Sequence, residues 1–232
     1  MADATSSRRR WVRMDLILAL LTFVSSITDV LSFLALTNVF ASGMTGNTAL
    51  LGIAAGQGQI LTAAHPACAL AGFVLGVACG TLASRTASHR VGLMGLLGLE
   101  AFCLGAFCAI WFAVEHPAAG APVYLLIALS ATGMGIQAVA ARRINVPGLP
   151  TVVFTTTLTN IVMSATDAVV RRAPLSFDTK RMIGIFSVYI VGATLAGALA
   201  SRHRDLLAVL PFIAVLMALA IEYGSKSSKL SA

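Results

Sequence analysis

Apolar residues run on in this chain for stretches long enough to cross a lipid bilayer, and this constrains the fold more than any motif. About 20 residues of helix span the ~30 Å hydrocarbon layer, where every backbone amide needs an internal partner, so such stretches fold as helices. Six qualify: Leu16 to Asn38, Ala63 to Ser84, Val91 to Val114, Val123 to Ala141, Arg181 to Ser201 and Leu206 to Tyr223. Only 11% of residues are charged and mean hydropathy is +0.89, where a soluble domain carries about 25% charge. The chain therefore reads as one all-α integral membrane domain over residues 1–232, with no room for a separate soluble domain. Arg8, Arg9, Arg10 and Arg13 precede an apolar run that continues to about Phe40, longer than a signal-peptide core, so this run is a retained first span.

Two more segments, Phe40 to Ala55 and Leu149 to Val170, are apolar but loaded with Thr, Ser, Asn and Gly. Each could cross the membrane or enter and return. If both return and the N-terminus is cytoplasmic, the sixteen Lys and Arg leave only Arg202 and Arg204 outside; if both cross, or only the second does, the split is ten to six. Positive charge collects on the cytoplasmic side. The expected topology is six transmembrane helices plus two polar re-entrant or broken segments, with short cytoplasmic tails at 1–13 and 225–232. The net charge of +7 lies in short clusters between apolar runs and reports topology, not a nucleic-acid partner. Cys68, Cys79, Cys103 and Cys108 fall inside spans without metal-ligand spacing, which predicts helix-packing residues, no metal and no cofactor.

Gly80-Thr-Leu-Ala-Ser-Arg85 recurs as Gly197-Ala-Leu-Ala-Ser-Arg202 with five of six positions identical. Residues 14–116 and 121–224 each read span, polar segment, span, span. Three spans per half is an odd number, so the expected arrangement is two inverted three-span repeats, with Met44-Thr-Gly-Asn47 opposite Phe154-Thr-Thr-Thr157. In such an arrangement the two polar segments converge near the midplane. Asp29, Thr45, Asn47 and Thr48 from one half and Thr155, Thr156, Thr157, Thr159 and Asn160 from the other then line a central substrate site. The alternative is that these hydroxyls bond carbonyls one turn earlier and only pack helices.

Asp29 and Glu100 are acids within spans, where an ionised carboxylate is costly, and both are proton-coupling candidates. The alternative for each is a carboxyl that joins two helices, with Gln137 available as partner. Gly72, Gly76, Gly80 and Ser84 form one flat helix face that lets another helix approach closely, within the protomer or across a homodimer.

Asp29-Val-Leu-Ser-Phe-Leu followed by Phe40-x-x-x-Met-Thr-Gly-Asn-Thr-x-x-Leu-Gly52 resembles the signature of the YoaK-like bacterial inner-membrane proteins, a family of unknown function described with about six spans. The resemblance covers nearly the whole chain. That family often has a Thr-Gly pair where this chain has Thr155-Thr156. The resemblance implies a bacterial plasma membrane and supplies no substrate or catalytic residues. There is no H-E-x-x-H, no G-x-S-x-G with a matched His and no nucleotide-binding loop, so the chain does not read as an enzyme. The expected function is a small-solute transporter or channel whose partners are the bilayer and an unidentified small molecule or ion. The alternative is a non-transporting sensor or assembly partner in which the buried polar residues are structural.

Overall fold

The structure is a computed structural model that describes residues 2–85, 89–114, 120–144 and 154–230. These fold into helices α1 (Ala2–Ala35), α2 (Met44–Gly56), α3 (Ile60–Arg85), α4 (His89–Ala113), α5 (Ala121–Ile144), α6 (Phe154–Val170), α7 (Phe177–Leu199) and α8 (Arg204–Leu230). Six carry stretches long and apolar enough to cross a membrane: Trp11–Ala35, Ile60–Arg85, Gly92–Ala113, Ala121–Ile144, Phe177–Leu199 and Arg204–Gly224. They coincide with the six expected spans, and the protein is a multi-pass membrane protein. At 1.5 Å per residue, the 13 residues of α2 and the 17 of α6 extend only about 20 and 26 Å, short of the hydrocarbon layer.

Helix directions follow from the side chains that meet. Arg181 pairs with Asp15, and Gly192 lies against Ser26, so α1 and α7 run parallel. Gly72 lies against Ala128 and Gly76 against Thr132, so α3 and α5 run parallel too. By contrast α4 is antiparallel to α8, with Trp111 bonded to Asp205 and Gly105 against Phe212. It is also antiparallel to α5, with Gly92 under Arg143 and Gly133 against Cys103. The pairing of Arg13 with Glu222 sets α8 antiparallel to α1. Taken together, α1, α4 and α7 leave the side on which the chain begins, and α3, α5 and α8 return to it. The end of α1 and the start of α3, which flank α2, therefore lie on the far side, and the end of α5 and the start of α7, which flank α6, on the near side. Among the described residues, neither α2 nor α6 serves as a crossing span.

Two helices form the centre. In α1 and α5, 67% of the apolar stretch is buried in the protein, against 22% in α3 and 17% in α7. The glycine face expected on α3 is spent inside the protomer, since a Cβ at Gly76 would lie 2.1 Å from the Thr132 carbonyl oxygen of α5. Cys68, Cys103 and Cys108 sit in helix contacts as expected, whereas Cys79 is exposed.

Among the described residues the packed helix pairs are α3 with α5, α4 with α5, α1 with α8, α1 with α7, α2 with α3, α4 with α8, α3 with α4, α6 with α7, α1 with α5 and α7 with α8. Exchanging α1–α4 with α5–α8 maps this set onto itself.

Candidate functional site

Between α1 and α2 the chain leaves helix and turns back into the protein. Thr37 and Asn38 both take φ near 62°, the left-handed region that suits Asn and strains a β-branched Thr by about 1–3 kcal/mol. The chain then descends along α1 until Ser42 meets Asp29, whose carboxylate accepts from the Ser42 amide at 2.6 Å and from its hydroxyl at 2.6 Å. Tyr189 of α7 donates to the same carboxylate at 3.0 Å, and Ser25 shares a hydrogen bond with Ser42 at 2.9 Å. Asp29 is six residues and Ser25 ten before the end of α1, which puts Ser42 about 9–15 Å below it. From that depth α2 climbs back to the far side. Its N-terminus, the positive end of the helix dipole, thus points into the protein at Asp29.

Asn47 closes the loop. It is fully buried, its side-chain oxygen accepts from the Phe40 amide at 2.9 Å and its nitrogen donates to the Phe40 carbonyl at 2.7 Å. Phe40 folds over the start of α2, and Cβ atoms at Gly43 and Gly46 would stand 3.0 Å from its side chain. That contact is why Phe40, Gly43, Gly46 and Asn47 occur together. The Met-Thr-Gly-Asn block is the clasp of a re-entrant turn.

A scan of family models matches residues 17–221 to a family described as protein of unknown function DUF1275. The chain belongs to that family. It is also similar to the UPF0700 transmembrane protein YoaK of Bacillus subtilis (strain 168), with 36% identity over 149 residues, covering 63% of this chain and 64% of the relative. The match thus spans just under two-thirds of that relative. No solved structure matches the chain.

The clasp locates the expected site residues in this family member. Asp29 and Asn47 have their polar atoms engaged by the loop itself. Thr45 and Thr48 lie on the exposed side of α2, with the Thr48 hydroxyl bonded to the Met44 carbonyl one turn earlier at 2.9 Å. In the second half, Thr155 and Thr156 are exposed on α6, Asn160 is half-buried and Thr157 is buried, while Thr159 bonds the Thr155 carbonyl at 2.9 Å. Residues 149–153 of the second polar segment lie outside the described residues.

One expectation fails. The two polar segments do not converge, because α2 packs on α3 and α6 on α7, and no contact joins α2 to α6 among the described residues. Thr45, Asn47 and Thr48 therefore do not share a cavity with Thr155, Thr156, Thr157 and Asn160 here. Each half-helix folds back on the span that follows it, and the buried centre is filled by α1 and α5. Gln137 also differs from expectation, since it donates to the Leu21 carbonyl at 2.9 Å and bonds neither Asp29 nor Glu100. Glu100 is fully buried, and neither of its oxygens has a hydrogen-bond partner among the described residues.

Tyr189 was not singled out by sequence. A lone tyrosine inside an apolar run was its only signal, and the partner it reaches is 160 residues away.

Proposed function

We propose that this protein is a small-solute transporter or channel of the bacterial inner membrane, with both termini cytoplasmic and two inverted three-span repeats. The observation that carries the reading is the irregular stretch 36–43 held within the depth of the apolar spans. Non-helical backbone at that depth is tolerated only where it is buried in protein or lines a watery path, and broken helices of this kind mark the sites of many transporters. The helix pairs that survive exchange of the two halves, and the opposite directions of α1 and α5, support the inverted repeat. Thr45 and Thr48 of α2, and Thr155, Thr156 and Asn160 of α6, are the hydroxyl and amide groups available to a polar solute. In this reading Asp29 couples proton uptake to movement of the loop, because its carboxylate fastens Ser42 of the loop and Tyr189 of α7 at once. Glu100 is the second proton-coupling group.

A second reading rests on the internal pairing of Asp29 and Asn47 and on the back-bonded Thr48 and Thr159. Here the same residues are structural, and the protein is a sensor or assembly partner that moves nothing.

Proteoliposomes separate the two. Purified protein, shown folded by its melting curve, is assayed for uptake of amino acids, sugars, organic acids and inorganic ions with and without an imposed pH gradient. Uptake of one class, weakened by Thr45→Val and uncoupled from the gradient by Asp29→Asn, supports transport. Fluxes equal to those of empty liposomes for every class overturn it in favour of the second reading.

A further inference from the structure

Arg202 and Arg204 sit on the side opposite the chain termini, away from the clusters that the charge bias explains. They are part of a surface depression of about 690 Å³ where α7 ends and α8 begins. Ser201, Arg202, His203, Arg204 and Asp205 line it together with the apolar side chains of Phe112, Leu206 and Val209. The local charges are already sorted. Asp205 accepts from the Trp111 indole at 3.0 Å, which ties the acid to α4. Arg204 uses its Nε to bond the Ala200 carbonyl at 3.0 Å, closing the end of α7. The Arg202 side chain and the terminal nitrogens of Arg204 have no acceptor among the described residues. α8 begins at Arg204, within this lining.

We propose that this depression binds a phosphate group at the membrane surface. A guanidinium presents a planar fork that matches two phosphate oxygens, and a helix N-terminus adds amide donors and favourable dipole. Phe112, Leu206 and Val209, in the same lining as the arginines, suit the glycerol and upper acyl chains of a phospholipid whose headgroup meets the guanidinium groups. A soluble phosphate would use only the guanidinium groups. Such a ligand also supplies what the orientation bias does not, a reason for two arginines on this side. The proposal is independent of whether the protein transports.

Native mass spectrometry of detergent-purified protein tests it, with phosphatidylglycerol and uncharged diacylglycerol of the same chains as lipid probes and inorganic phosphate as the soluble one. Wild-type protein should retain phosphatidylglycerol over diacylglycerol, and Arg202→Gln should cut retention by roughly tenfold, the scale of one lost charge-assisted bond. Phe112→Ala tells the sources apart: it lowers lipid retention if the ligand is a phospholipid and leaves inorganic phosphate binding unchanged. Binding of inorganic phosphate that Arg202→Gln weakens, with no preference between the two lipids, assigns the site to soluble phosphate. Arg202 is exposed, so its variant folds. Equal retention of both lipids together with no phosphate binding, or retention unchanged in Arg202→Gln, overturns the proposal.

Discussion

Asn47→Ala is the substitution that bears most directly on the re-entrant turn. The variant removes both hydrogen bonds that join α2 to Phe40, at 2.9 and 2.7 Å, and leaves the Phe40 amide and carbonyl without their partner. Each orphaned group costs about 1–3 kcal/mol, so the pair costs about 2–6 kcal/mol. For a protein of this size each kcal/mol moves the melting temperature by about 2–4 °C, which predicts a drop of about 4–24 °C in detergent. Thr48→Ala is the internal control, because it removes a hydroxyl bonded only to its own helix and should stay within about 0.5 kcal/mol of wild type. The damage should also be local. Hydrogen exchange should rise in the peptide covering 36–47 while the Trp111 and Gly76 regions keep their protection. A melting curve within error of wild type, with exchange over 36–47 unchanged, would show that Asn47 does not hold the turn.

Asp29→Asn keeps the size of the side chain but replaces one acceptor with a donor facing the Ser42 or Tyr189 hydrogen; it should cost about 1–3 kcal/mol by thermal melting, and Tyr189→Phe should cost less because it removes only the 3.0 Å bond. Gly76→Leu should prevent stable assembly altogether, read as loss of the monodisperse peak in size-exclusion chromatography, since even a Cβ there would stand 2.1 Å from the Thr132 carbonyl oxygen. Glu100→Leu should match or exceed wild type in melting temperature, because the buried carboxyl has no hydrogen-bond partner among the described residues to lose. If the protein transports with proton coupling through Glu100, that variant keeps its fold and loses gradient-driven uptake; a large drop in stability would show that Glu100 is a structural bond.

The six spans were legible in the sequence because hydropathy is a local sum along the chain. Leu16 to Asn38 is long and apolar enough for a bilayer whatever it packs against, whereas polarity alone left Phe40 to Ala55 open between crossing and returning. Gly-x-Leu-Ala-Ser-Arg recurs at 80–85 and 197–202, near the ends of α3 and α7, two helices that exchange places when the halves are swapped. Tertiary structure alone decided which end of α2 points inward, that Asp29 holds Ser42 and Tyr189 instead of standing free, that the glycines of α3 are used against α5, and that α2 and α6 remain apart. The physical reason is that a polar group inside a membrane must find some partner, and the sequence states only the need. Whether Asn47 meets a solute or the backbone of Phe40 depends on where an irregular loop lies in three dimensions, and no local sum of residue properties encodes that position.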